Sequence, residues 1–162
     1  MKWRRRHWPW WIGVMATLLF WLARAWLPDP QPVVSGEPFQ AVVVGVVDGD
    51  TLDLTGQRVR LYGVDAPEKG QPYGVPAIAC LSTLVVGRTV TVEPMGTDPY
   101  GRLLAVLWVE GQDINAALVA QGCAWAYPGT GEAYRDEEAQ ARAQGLGLWA
   151  QPNPIPPWEW RK

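Results

Sequence analysis

Residues 39–64 read FQAVVVGVVDGDTLDLTGQRVRLYGV, and this stretch sets the fold of the chain. The β-branched, apolar run from Phe39 to Val47 is typical of a strand, and DGD (residues 48–50) is typical of the bend that follows one. Two further strand-like segments, TLDL and RVRLYGV, flank TGQ (residues 55–57), as in a hairpin. The stretch therefore predicts three consecutive strands, with two aspartates at the first bend.

The rest of the chain adds two strands and about three helices. The predicted strands are RTVTVEP (residues 88–94) and the apolar part of Gly101–Asp113. The predicted helices run over Gly74–Gly87, over Asp113–Gly122 with Asp113 as N-cap, and over Glu132–Gly145 with its acids first. About five strands with inserted and appended helices indicate an α+β fold, and the five-stranded Greek-key barrel of the OB type fits that count.

The N-terminus is expected to be a targeting segment. Three arginines (Arg4–Arg6) precede the uncharged stretch His7–Ala23, which as a helix spans about 25 Å, the low edge of what crosses a bilayer. Residues 8–27 then anchor the protein in the membrane with the domain outside the cytoplasm. Two alternatives stay open: cleavage of a signal peptide after Ala25, which releases a secreted domain, and a buried soluble helix, for which no polar face exists.

The predicted organisation has four parts: a signal-anchor or signal peptide (1–27), a proline-rich linker (28–38), the barrel domain (39–150) and a Pro/Trp-rich C-terminal tail (151–162). Five of the chain's 14 cations lie before residue 26, which leaves nine cations against 16 acids in the exported part, a net charge of −7. Bulk electrostatics would therefore repel a polyanion. Any phosphate chemistry must depend on a local site and a metal ion.

The two cysteines, Cys80 and Cys123, have two possible states. In an exported protein they can form a persistent disulfide. Both also lie in apolar surroundings where free cysteine packs well, so spacing alone leaves the choice open.

Charged side chains cluster at the ends of the predicted strands, where a rigid scaffold commonly holds binding residues. They are Asp48, Asp50, Arg60, Asp65, Glu68, Asp98 and Arg102. Carboxylates without a compensating amine suggest a hard divalent cation such as calcium or magnesium, and arginines beside it suggest a phosphate. A spare glutamate can act as base, so the set indicates metal-assisted attack of water on a phosphodiester. Each motif alone is typical of an ordinary turn; their joint order carries the argument.

Five motifs in order, VDGDT, VRLYGVDAPE, TDPYGR, INAALVAQGCAWAY and ARAQGLGLWA, resemble the staphylococcal nuclease (thermonuclease) family over residues 39–149. The tail sequence PNPIPPWEW resembles bacterial members too. The resemblance implies an OB barrel with three helices. It also implies a Ca²⁺-dependent phosphodiesterase that hydrolyses DNA and RNA with little sequence preference and leaves 3′-phosphate ends.

The resemblance further implies roles for individual residues. Calcium would be held by the carboxylates of Asp50 and Asp65 and by the backbone carbonyl of Ala66. Glu68 matches the general base, or the residue that orients the attacking water, and Arg60 and Arg102 match the arginines that clamp the phosphate. Asp48 would support the ligands, while Tyr100 and Tyr127 resemble tyrosines that contact a terminal phosphate or stack on a base.

Two features depart from the family prototype. Pro99 stands in place of a lysine, and the segment from Lys69 to Tyr73 is shorter than the corresponding surface loop. Together with the acidic domain they predict weak, salt-sensitive binding of nucleic acid that the metal ion rescues. We expect a monomer without an obligate protein partner. The competing interpretations are a non-catalytic OB-fold module that binds nucleic acid or protein in the cell envelope, and a purely structural envelope protein.

Overall fold

The computed structural model of the protein describes residues 36–162. The predicted signal or anchor segment (1–27) and linker residues 28–35 lie outside the described residues. Within residues 36–162, no helix is both long enough and apolar enough to span a bilayer.

Five strands form a closed barrel: β1 (Phe39–Asp48), β2 (Thr51–Leu54), β3 (Gln57–Leu61), β5 (Thr89–Thr97) and β6 (Leu103–Val109). Their hydrogen-bonded order is β3-β2-β1-β5-β6, and β3 also pairs with β6, which closes the barrel. Three two-residue strands complete the set: β4 (Val64–Asp65), β7 (Gln112–Asp113) and β8 (Trp125–Ala126). The closing β3–β6 pair is parallel, while the other barrel pairs are antiparallel. This mixed five-stranded barrel is consistent with the predicted OB fold.

The β2–β3 hairpin shows how the sequence positions functional side chains. Leu54 pairs with Gln57 across the predicted turn, in which Gly56 takes a left-handed φ of 84°. Side chains alternate between the two faces of a strand, so Val59 and Leu61 enter the core. Arg60 between them therefore faces out of the barrel, half-buried.

Three helices agree with the predicted ones in place and order, and a fourth, in the C-terminal tail, was not predicted. They are α1 (Gly74–Val85), α2 (Ile114–Ala120), α3 (Arg135–Gln144) and a fourth, short helix α4 (Pro157–Trp160). Two 3-10 turns, Glu132–Tyr134 and Gly147–Ala150, flank α3. The predicted cap of α2 is confirmed, because the Asp113 carboxylate accepts a hydrogen bond from the amide of Ala116 at 2.9 Å. Gly145 ends α3 at a φ of 63°, as its position predicts.

The core fills the barrel and the space beneath α1 and α2. Its side chains are almost all aliphatic, and the largest fully buried ones include Leu52, Leu61, Leu81, Leu107 and Leu118. One of the few buried polar side chains, Asn115, ties α2 to the barrel: its amide donates to the carbonyls of Tyr62 and Ala105, and its oxygen accepts from the amide of Leu107. A buried amide with its partners satisfied in this way fixes the helix against the sheet.

A disulfide joins Cys80 of α1 to Cys123, which follows α2, and closes a loop with a sequence separation of 43 residues. The structure thus favours the first of the two states that the sequence left open. The bond fixes α1, whose N-terminal end lies next to the candidate site, to the second helix.

We predict that the double substitution Cys80→Ser/Cys123→Ser lowers the free energy of unfolding by about 2–4 kcal/mol, because the cross-link restricts the unfolded chain. Guanidinium denaturation of the full-length protein measures this loss. Reduction of the wild-type protein should reproduce it and should leave the variant unchanged. Equal midpoints for the oxidised wild type and the variant would show that the bond does not contribute to stability.

Candidate active site

Three chain segments meet at one point on the barrel surface: the β1–β2 bend, the outward face of β3, and β4 with the loop after it. A glycine at the centre of the bend allows this approach. A Cβ atom on Gly49 would lie 2.6 Å from the Cβ of Ala66 and 3.0 Å from that of Ala77. The bend therefore packs directly against the β4 loop, which brings Asp50 beside Asp65.

Arg60 bridges the two predicted metal-ligating aspartates. Its Nη1 lies 2.8 Å from Oδ1 of Asp50 and its Nη2 lies 2.7 Å from Oδ1 of Asp65. Asp50 also accepts hydrogen bonds from the Thr51 hydroxyl (2.9 Å) and from the backbone amide of Ala66 (3.1 Å). One guanidinium thus donates hydrogen bonds to both carboxylates.

Burial raises the free-energy cost of keeping both carboxylates charged. Asp65 is fully buried and Asp50 is 4% exposed. Burial raises the pKa of Asp50 above its usual value, the positive charge of Arg60 opposes that rise, and the charge of Asp65 adds to it. The guanidinium of Arg60 offsets part of this cost, because it lies within hydrogen-bonding distance of both carboxylates.

The other predicted members of the site lie beside this pair. Asp48 caps the bend by accepting from the amide of Gly49 at 2.9 Å. Burial is the main cause that raises the pKa of Asp48, and the nearby charge of Glu68 raises it further. The backbone amide of Glu68 donates to the side-chain oxygen of Gln71 at 3.1 Å, which fixes the loop that carries the carboxylate. The structure therefore places Asp48, Asp50 and Asp65 near Arg60, with Glu68 beside Asp48.

A second arginine, which the sequence analysis missed, contacts the same carboxylates. Arg161, in the C-terminal tail, donates from Nη1 to Oδ1 of Asp65 (3.2 Å) and from Nη2 to Oδ2 (2.7 Å). Its Nη1 also donates to Oε1 of Glu68. The tail reaches this point because it is packed against the domain: Trp158 makes edge-on contacts with Trp125 and Tyr127, and the side chain of Gln71 donates to the carbonyl of Ile155 at 2.6 Å.

Arg102 takes a different position from Arg60. Its Nε lies 2.6 Å from Oδ2 of Asp98, and its guanidinium lies over the ring of Tyr100, 5.5 Å from the centroid. Burial tends to raise the pKa of Asp98, but hydrogen bonds from Arg102 and from the Tyr100 amide outweigh it and lower that pKa. Arg102 lines a depression of about 660 Å³ together with Asp53 and Arg58, beside the carboxylate cluster rather than within it.

A cavity of about 520 Å³ lies next to the cluster. Its lining includes Arg60, Tyr100, Tyr127, Thr130 and Arg161. Tyr100 is 85% exposed and Tyr127 is 37% exposed, so both rings are open to a ligand. The two tyrosines predicted to contact substrate thus line the same cavity as Arg60, and Tyr100 also borders the depression that holds Arg102.

The carboxylates of Asp50 and Asp65 fit a hard divalent cation, although they give it few protein ligands. Among residues 36–162, no group of three or more His, Cys, Asp or Glu side chains is arranged to hold a metal ion. Two opposed carboxylates, now neutralised by guanidinium groups, are nevertheless oxygen ligands of the kind that calcium prefers, and calcium sites complete their coordination with backbone carbonyls and water. Asp50, Asp65 and the carbonyl of Ala66 are the residues that would hold such an ion.

A closed five-stranded barrel with helices packed on it places this domain in the class of small OB-type barrels. Comparison with known proteins identifies the family. The family model described as "Staphylococcal nuclease homologue" matches residues 58–151. The chain is 41% identical over 137 residues to the protein named ParB of Escherichia coli. This match covers 74% of this chain and 77% of ParB.

Two further relatives carry enzyme names. An uncharacterized endonuclease of Escherichia coli O157:H7 is 39% identical over 130 residues, covering 74% of this chain and 82% of its own length. The micrococcal nuclease of Shigella flexneri is 39% identical over 142 residues, and the match covers 76% of this chain and 81% of that protein. This chain belongs to the staphylococcal nuclease family.

We predict that Arg60→Gln lowers the free energy of unfolding by about 3 kcal/mol at neutral pH, because it leaves the buried Asp50 without its cation. Adding Asp50→Asn to this variant should recover part of the loss, since the uncompensated charge is then gone. Urea denaturation measures both. The exposed Arg88→Gln is the matched control and should change stability by less than about 0.5 kcal/mol. Equal losses for Arg60→Gln and the control would contradict the bridging role of Arg60.

Proposed function

We propose that this protein is a calcium-dependent phosphodiesterase that hydrolyses DNA and RNA with little sequence specificity and leaves 3′-phosphate ends. The observation that supports this proposal most strongly is the convergence of Asp50, Asp65, Glu68 and Arg60 at one edge of the barrel. A domain that only binds nucleic acid does not require two buried carboxylates, a glutamate and an arginine at one point. The family and the names of its nuclease relatives agree with the proposal.

In this proposal the carboxylates of Asp50 and Asp65 and the carbonyl of Ala66 hold the ion. A bound calcium ion supplies Lewis-acid stabilisation of the charge that develops on the phosphate. Arg60, which lies between the two carboxylates, binds a non-bridging phosphate oxygen through its planar fork. Asp48 fixes the bend that carries Asp50, through its hydrogen bond to the amide of Gly49.

Glu68 takes the proton of the attacking water, or orients that water. Its side chain is 32% exposed, so water reaches it, and it lies beside Asp65 through their shared partner Arg161. Arg102 approaches the phosphate from the neighbouring depression. Tyr100 lines both spaces and connects the Arg102 side of the site with the cavity that Arg60 borders.

The cavity next to the cluster is where the adjoining nucleotide would bind. The exposed rings of Tyr100 and Tyr127 offer faces on which a base stacks, which favours single-stranded substrate without base-specific contacts. The net charge of −7 outside the N-terminal segment gives no long-range attraction for nucleic acid. Binding should therefore be weak, sensitive to salt and dependent on the metal ion.

We also propose that the protein acts outside the cytoplasm as a monomer. The support is the sequence of the N-terminal segment, with arginines before an apolar stretch, which predicts export with residues 8–27 as anchor or with cleavage after Ala25. The disulfide between Cys80 and Cys123 agrees with an oxidising compartment.

The full-length protein should cleave single-stranded DNA and RNA in calcium and should be inactive in a chelator. Glu68→Gln should lower kcat by about 100-fold or more, because it removes the proton acceptor and keeps the shape. The exposed Glu110→Gln carries the same change far from the cluster and should retain the wild-type rate. Gel analysis of labelled oligonucleotides gives both the rates and the identity of the ends.

Three results would count against the proposal. Cleavage that persists in the chelator would remove the metal dependence. A Glu68→Gln rate equal to that of Glu110→Gln would remove the role of Glu68. Binding of the oligonucleotide without cleavage under any divalent ion would favour a non-catalytic binding module instead.

A further inference from the structure

We propose that Arg161 is a phosphate-binding residue of the active site, which the C-terminal tail brings to the cavity beside Arg60. The inference rests on the proposed function and adds to it a substrate contact from a segment outside the matched family region, residues 58–151. Arg161 borders the 520 Å³ cavity together with Arg60, Tyr100 and Tyr127. The tail therefore completes the wall of the space in which the substrate would bind.

The position of Arg161 is built into the fold. Pro157 at the start of α4 is buried, and Trp158 contacts the rings of Trp125 at 5.6 Å and Tyr127 at 5.8 Å between centroids. The backbone amide of Arg161 donates to the carbonyl of Pro157 at 3.1 Å, which closes the last turn of α4. Apolar packing and a helical turn thus hold the backbone in place while the side chain of Arg161 stays 40% exposed.

Arg161 and Arg60 contact the site in the same way. Both donate to Oδ1 of Asp65, and both border the cavity. The recorded hydrogen bonds of Arg161 within residues 36–162 use three of the five donors of a guanidinium. Once a metal ion takes up the charge of Asp65, this fork is available to an anion in the cavity, as Arg60 is.

The chemistry of the cavity favours a phosphate as that anion. Its lining holds two arginines, and its acid, Asp98, already pairs with Arg102. A guanidinium matches the oxygens of a phosphate in a bidentate manner, and the two tyrosine rings provide room for the attached base. Because residues 26–162 carry seven more acids than cations, a cation placed by packing at the substrate cavity compensates locally for the missing long-range attraction.

The test compares Arg161→Gln with Lys162→Gln, the adjacent exposed cation, in the full-length protein. Calorimetry in calcium measures the Kd for thymidine 5′-monophosphate, which has no internucleotide bond to cleave, and steady-state kinetics on a single-stranded oligonucleotide gives kcat and KM separately. Arg161→Gln should raise both Kd and KM about tenfold or more, whereas Lys162→Gln should behave as wild type. Arg161→Lys should recover only part of the binding, because it keeps the charge without the fork. Tryptophan fluorescence checks that the tail remains packed in each variant.

Unchanged Kd and KM in Arg161→Gln would overturn the proposal. Tighter binding of nucleotide or calcium by this variant would overturn it as well and would show that Arg161 obstructs the carboxylates instead. Absence of nucleotide binding by the wild type would also contradict it. The Kd measurement does not depend on whether the wild type cleaves DNA in calcium, so failure of the Arg161 proposal is distinguishable from failure of the proposed function.

Discussion

The site depends on one interaction, the bridge from Arg60 to the buried carboxylates of Asp50 and Asp65. Burying two charged acids side by side costs free energy that an adjacent cation offsets, and Arg60, from its outward position on β3, provides that cation. The barrel fixes this geometry, because the parallel β3–β6 pair and the β2–β3 hairpin hold the strand on both sides. Gly49 allows the bend to approach the β4 loop closely enough for the carboxylates to meet.

The same electrostatic constraint explains why the tail matters. With Asp48 and Glu68 close to the buried pair, a single arginine faces a surplus of negative charge, and Arg161 supplies a second cation from a distant part of the sequence. A metal ion and a guanidinium are alternative partners for these carboxylates, and a phosphate and a carboxylate are alternative partners for these guanidinium groups. In the proposed function, a metal ion would take the place of the arginines at the carboxylates and leave the guanidinium groups for a phosphate.

Local sequence signals predicted much of the fold and of the cluster. Alternating residues placed Arg60 between two core side chains, and the cap at Asp113 and the stop at Gly145 marked helix ends, because these depend on neighbours within a few residues. The contact of Arg161 with Asp65 spans 96 positions, and no local pattern encodes it. The pairing of the cysteines likewise depends on tertiary packing, which spacing alone does not resolve. The ion pair of Arg102 with Asp98, by contrast, joins residues four positions apart within one turn, so it depends on local sequence.

Direct measurement of calcium binding to the full-length protein tests the central claim, that Asp50 and Asp65 form one cation site. Isothermal titration of the wild type should show a single calcium ion, and Asp50→Asn and Asp65→Asn should each weaken binding by tenfold or more, while the exposed Asp136→Asn should not. Calcium binding of wild-type strength in either of the first two variants would contradict a shared site.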